Sequence, residues 1–141
     1  MSPQVAIKTQ RGSLGLGLRA QAVAAVGAAR LLAQLPPARL RRVLRSLSRH
    51  SRPADYEQTA RFRNAVTSVS VFCAGEGCLP RSVAITLLCR TRGTWPTWCV
   101  GVRTAPCAGH AWVEAEGRPV GEPSDTETYR RVLFVGPDSV R

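Results

Sequence analysis

Cys78 and His110 are the two side chains whose types and settings could do chemistry together. Cys78 lies in Gly77-Cys78-Leu79-Pro80-Arg81-Ser82, just ahead of a stretch that reads as a helix. His110 lies in Gly109-His110-Ala111-Trp112-Val113-Glu114, which reads as a strand. A thiol reacts as its thiolate, and the partial positive charge at a helix N-terminus lowers its pKa. A neighbouring imidazole lowers it further and then carries the proton, which makes a nucleophile and its base. The N–H groups of the helix start could also hold an oxyanion formed on whatever the sulfur attacks. Small Gly109 and Ala111 leave space beside the imidazole, and Trp112 could wall the site. A third group should orient the imidazole and stabilise its cation. Glu122 on the next strand, Asp125 shortly after it, and Glu114 on the same strand face as His110 are all open for that role.

The elements that must position these groups follow from periodicity. Residues 1–13 read as polar and irregular. Residues 14–35 read as an Ala/Leu helix, weakened at its start by Gly15 and Gly17 and ended by Pro36-Pro37. A second helix starts with Pro37 in its first turn. Leu40, Val43, Leu44 and Leu47 recur at helical spacing, and Arg39, Arg41, Arg42, Arg45 and Arg49 cover the other side. Asp55-Tyr56-Glu57-Gln58 resembles a capping box, which predicts a third helix over 56–72. Ala74-Gly75-Glu76-Gly77 is a glycine-bearing turn that presents Cys78. A fourth helix over 79–92 has Val83, Ala84, Leu87 and Leu88 on one face and stops at Gly93. The period then changes to that of strands, over 97–103 and 108–115, with a turn at Thr104-Ala105-Pro106 between them. Glu116-Gly117 turns the chain into a further strand over 118–122, and a last β run covers 129–135. Helices first and an antiparallel sheet afterwards predict an α+β fold: N-terminal helices, and a Cys at the N-terminus of a helix packed on a small sheet that carries the His.

At 141 residues the chain is expected to be a single domain, 1–141, with a basic helical front part at 1–52 and a catalytic core at 53–141. The formal net charge is +11, carried almost wholly by arginine, and residues 1–60 hold +8 of it. That front part could dock a partner, or attract a nucleic acid or a membrane face, a binding-module reading that no base-reading or aromatic stacking motif supports. Arg19 and Arg30 interrupt the apolar stretch 14–35, so it lacks the uncharged run a membrane span needs and, with Lys8 and Arg11 before it, makes a poor secretion signal. The five cysteines, Cys73, Cys78, Cys89, Cys99 and Cys107, are odd in number and irregular in spacing. That argues against a disulfide framework and for a reducing cytosol, with all but Cys78 as small buried hydrophobes. With no CxxC pair and only His50 and His110 as imidazoles, neither a zinc site nor any other cofactor is expected.

The order Cys, His, carboxylate is shared by papain-like and transglutaminase-like enzymes, and the surrounding residues narrow the match. Cys78-Leu79-Pro80-Arg81-Ser82-Val83-Ala84, Arg90-Thr91-Arg92-Gly93, Cys99-Val100-Gly101-Val102-Arg103 and His110-Ala111-Trp112-Val113-Glu114 followed by Gly117-Arg118-Pro119-Val120 form one set. Together they resemble the lasso peptide biosynthesis leader peptidases, transglutaminase-like cysteine peptidases, in their short split form. The resemblance covers about residues 36–135 and includes Leu35-Pro36-Pro37-Ala38-Arg39-Leu40-Arg41. It implies a cytoplasmic enzyme that cuts the leader from a ribosomally made precursor through a thioester on Cys78, with His110 moving the proton. It also implies a separate leader-binding protein, the precursor's leader region and an ATP-dependent macrocyclase as partners, with no nucleic acid, no membrane association and no cofactor. Members of that family commonly have aspartate as the third triad residue, where this chain has Glu122 in Val120-Gly121-Glu122-Pro123. With no added leader-recognition domain, the chain is expected to find its substrate poorly alone. An amidase or acyl transferase on the same fold would use the same three residues with a different acceptor.

Overall fold

The computed structural model describes residues 15–104 and 106–137. The reading of 1–13 as irregular, the helix start at Leu14 and the Ala105 part of the turn lie outside the described residues. Pro36-Pro37 separates α1 (Leu16–Leu32) from α2 (Pro37–Leu47), as the backbone chemistry of proline requires. α1 buries a stripe of small residues, Ala22, Ala25, Val26 and Ala29, and packs through them on the helix that begins at Cys78 and on α3 (Tyr56–Val69). Leu40 and Leu44 anchor α2, leaving its arginines outward or half-buried.

Asp55 caps α3 as expected, its carboxylate accepting the Gln58 N–H at 2.6 Å. The reciprocal half of the capping box is replaced. Gln58 Oε1 accepts from the Thr94 hydroxyl, and Glu116, from the distant hairpin turn, accepts the Tyr56 N–H at 2.6 Å. The third helix does not run on to Phe72. Ser70 turns extended (φ −138°, ψ 114°), and its hydroxyl accepts the Cys73 N–H, starting a separate short turn, α4 (Val71–Ala74). A serine that offers its own acceptor to the backbone competes with helix continuation.

α5 (Cys78–Thr91) is the centre of the molecule. Its burial is not confined to the expected face: Arg81 to Thr86, Leu88 and Cys89 are all buried, because α1 and α3 cover one side and the sheet covers the other. Gly93, at φ +75°, ends it, and β1 (Arg52–Pro53) pairs in parallel there with β2 (Thr94–Trp95).

The main sheet is antiparallel, built from β3 (Thr97–Thr104), β4 (Cys107–Ala115), β5 (Arg118–Pro119) and β6 (Arg130–Val135) in the order β5-β4-β3-β6. The strand expected over 118–122 is short: the Val120 N–H still bonds to the Val113 carbonyl, but Gly121 (φ +65°) then turns the chain out of the sheet. β3 and β4 pair from Thr97↔Glu114 to Thr104↔Cys107, which sets Gly101 opposite His110. Trp98 on β3 is fully buried, and its indole N–H reaches the Ser82 hydroxyl of α5 at 3.1 Å. Trp95 is buried too, with its N–H on the Val135 carbonyl. Both bury large apolar rings with their polar atoms satisfied, and they lock helix to sheet. The fold is therefore α+β, with five α-helices and a small antiparallel four-stranded sheet among the described residues. Among the described residues no helix is long and apolar enough to cross a membrane.

Candidate active site

Gly77 delivers Cys78 to the start of α5. Its backbone (φ −82°, ψ 54°) forms an inverse γ-turn in which the Cys78 N–H donates to the Glu76 carbonyl at 2.9 Å. No side chain fits there: a Cβ on Gly77 would lie 2.7 Å from the Phe72 ring and 2.8 Å from the Phe72 carbonyl oxygen. This turn corrects the expectation that several helix N–H groups face the attacked group. The Cys78 N–H is turned back on Glu76, Pro80 has none, and that of Arg81 bonds to the Gly77 carbonyl. Only the Leu79 amide is left from the first four residues of the helix.

β4 carries His110 to the sulfur. There the imidazole and the Ala111 N–H stand close enough to the sulfur to act on its proton affinity. The interaction with His110, against the opposing effect of burial, holds the Cys78 pKa below its usual value; the Ala111 N–H and the positive charges of His110 and Arg81 add to it. The same interaction with Cys78, then the bond to Glu122, raises His110 to about 9. Each group favours the charged form of the other, which biases the pair toward thiolate and imidazolium.

Glu122 stands behind the ring. Its Oε1 meets His110 Nε2, leaving Nδ1 as the ring nitrogen that can face the thiol. The Glu122 side chain is 3% exposed and the His110 side chain 18%. Gly121, before it, packs its backbone close against Arg63, and the Tyr56 hydroxyl accepts the Gly121 N–H at 3.5 Å. The other two open carboxylates stand elsewhere. Asp125 is exposed and pairs with Arg103 at 3.4 Å. Glu114 accepts the Trp112 indole N–H at 2.9 Å and lies 3.8 Å from Arg131.

Aromatic rings wall the imidazole. Trp112 stacks on it (centroids 5.7 Å apart, planes 17° apart), and Tyr129 tilts against it at 5.3 Å. Trp112 can lie this low because its partner strand has glycine beneath it: a Cβ on Gly101 would sit 2.8 Å from the indole Cη2. Tyr129 was not legible as a site residue, since it is distant in sequence and stands outside any motif. Arg81 belongs to the run that follows Cys78, and an arginine inside an otherwise apolar helix was the signal that could have marked it.

The remaining thiols divide. Cys73, Cys89 and Cys99 are buried and free, and burial pushes Cys89 and Cys99 up to about 12. Cys107 is exposed, contrary to the expectation that all but Cys78 are buried. It opens β4 at the hairpin, where no layer covers the strand end. Among the described residues no group of three or more His, Cys, Asp or Glu could hold a metal ion.

A thiol at a helix start, an imidazole on the adjoining strand and a carboxylate behind it are shared by many unrelated acyl-transfer enzymes. The sequence profile of the transglutaminase-like superfamily matches residues 22–134, from within α1 to within β6. The chain belongs to the transglutaminase-like superfamily. This superfamily fold commonly serves cysteine peptidases and acyl transferases. No curated protein and no solved structure matches the chain. The superfamily match includes most of α1, in keeping with the packing of that helix on α5.

Proposed function

We propose that this transglutaminase-like protein is a cysteine peptidase that removes the leader from a lasso peptide precursor. The observation that carries the chemistry is the connected set Cys78–His110–Glu122. The resemblance of the Cys78, Cys99 and His110 motifs to the leader peptidases carries the substrate.

In this reading the Cys78 thiolate attacks the scissile carbonyl carbon, and the carbonyl electron pair moves onto oxygen. Collapse of that intermediate breaks the C–N bond, and the His110 imidazolium gives its proton to the departing amine. Neutral His110 then takes a proton from water, the hydroxide attacks the thioester, and the leader leaves with a new carboxylate while the thiolate is restored. Glu122 keeps the ring oriented and stabilises its cation through both steps. The core peptide's freed amine passes to a separate ATP-dependent macrocyclase.

A separate leader-binding protein completes the reading, in the cytoplasm. Its docking place is the open groove of about 430 Å³ lined by Arg41, Arg45, Thr97, Arg131 and Phe134, beside the edge strand β6. Three arginines there suit an acidic partner surface. Reversal to Arg41→Glu and Arg45→Glu should weaken the complex; unchanged affinity counts against this docking place.

The test is to incubate precursor with the leader-binding protein and either the native chain or Cys78→Ala, and to weigh the products. Cleavage by the native chain alone, yielding a leader with a free C-terminal carboxylate, is the expected result. A leader joined to an added amine makes the protein an acyl transferase. Normal cleavage by Cys78→Ala ends the proposal.

A further inference from the structure

We propose that Arg81 is a positioning residue, which clamps the free oxygen of Glu122 so that the other stays on His110. The role rests on the catalytic reading above, but the juxtaposition it depends on is observable without a substrate. Arg81 stands at i+3 from Cys78 on α5, and is only 7% exposed. Its Nη1 donates to the Cys73 carbonyl at 3.1 Å, which fixes the guanidinium plane. Its Nη2 lies 3.7 Å from Glu122 Oε2. Arg63 Nε, buried and without a hydrogen-bond acceptor among the described residues, approaches the same oxygen from α3 at 3.9 Å.

Glu122 needs such a clamp for three reasons. It lies in a loop beyond Gly121, so no ladder bond holds its backbone. Its side chain has one more rotatable bond than an aspartate, and freezing it costs conformational entropy. Its carboxylate is almost wholly buried, where a charge must be compensated. Arg81 answers all three from the helix that holds the nucleophile, so carboxylate, imidazole and sulfur are referenced to one rigid element. Arg63 alone would draw the carboxylate toward α3. A lysine at position 81 would keep the charge but could not donate to the Cys73 carbonyl and reach Glu122 together.

Only two histidines are present, so the ring resonances of His110 can be identified by difference with His50→Gln. Proton and nitrogen NMR of the intact chain should show a low-field His110 Nε2–H signal from the bond to Glu122. Arg81→Met should abolish that signal while the His50 resonances stay in place, and Arg81→Lys should broaden it or move it upfield. In a cleavage assay Arg81→Lys should lower kcat about tenfold or more with KM unchanged. If Arg81→Met does not fold, Arg81→Lys carries the test. A lower melting temperature with the His110 signal unmoved in the folded variant assigns Arg81 to stability alone and overturns the proposal. Loss of the signal without any cleavage by the native chain would leave the clamp standing and remove only the peptidase reading.

Discussion

The Glu122 carboxylate reaches His110 Nε2 from a loop, not from a strand. β5 stops at Pro119, Gly121 turns the chain, and the longer side chain of glutamate then spans back to the ring. The reach of a glutamate side chain is thereby matched by a backbone that departs from β4.

Glu122→Gln should keep the bond to the ring but lose the charge that favours the imidazolium. We expect kcat for precursor cleavage to fall by roughly 10²–10⁴, by analogy with the carboxylate of a serine-protease triad. Glu122→Asp should fall between native and Gln, because the shorter side chain no longer spans the gap. An active Glu122→Gln would remove the carboxylate from the mechanism.

Cys78→Ala and His110→Ala should each abolish cleavage and leave the circular dichroism spectrum unchanged. Both side chains lie outside the apolar core cluster. In His110→Ala the Cys78 thiol also loses the main cause of its lowered pKa. Its alkylation at pH 6 should then slow markedly, measured by mass spectrometry on the Cys78 peptide.

The reaction should have a bell-shaped pH profile. Activity rises as Cys78 ionises, at a pH below the ordinary thiol value of 9.0, and falls as His110 loses its proton near 9. Stability follows the same histidine on the alkaline side. Its folded pKa lies above the ordinary 6.5, so its contribution is complete below about 6.5 and is lost as pH rises through about 9. Melting temperatures measured across that window should decline more in the native chain than in His110→Ala; equal slopes would count against the ion pair.

In native protein, iodoacetamide should modify Cys78 and the exposed Cys107 and spare Cys89 and Cys99, whose thiols burial holds near 12. Denaturation should expose all five. Peptide mapping distinguishes the two patterns, and rapid native labelling of Cys99 would contradict its burial.

Gly101→Ala should destabilise the fold by about 1–3 kcal/mol, the usual range for overpacking. The added methyl meets the Trp112 indole at 2.8 Å and the Arg130 carbonyl oxygen at 2.9 Å, so both a ring and a strand must move. Urea unfolding measures the loss. Trp112 fluorescence should change as the indole lifts from His110.

Local chemistry made much of this legible. Pro36-Pro37 fixed one helix boundary and Gly93 another, and both stand where backbone sterics put them. The strands Thr97–Thr104 and Cys107–Ala115 follow from a change of hydrophobic period. The break at Ser70 was hidden because apolar residues continue through it at helical spacing, while a single hydroxyl bond decides it. The bond that Glu116 makes to the Tyr56 N–H in the first turn of α3 was hidden because Glu116 is far along the chain.

Residue type and order alone determined that a thiol at a helix start and an imidazole on a strand were present, since both depend on nearest-neighbour preferences. Tertiary structure decided which carboxylate the ring meets, that the Cys78 amide turns back on Glu76, and that Arg81 and Arg63 converge on Glu122. Those relations depend on how helices and a hairpin pack in space. A buried charge finds its partners through that packing, and no spacing along the chain encodes the distance.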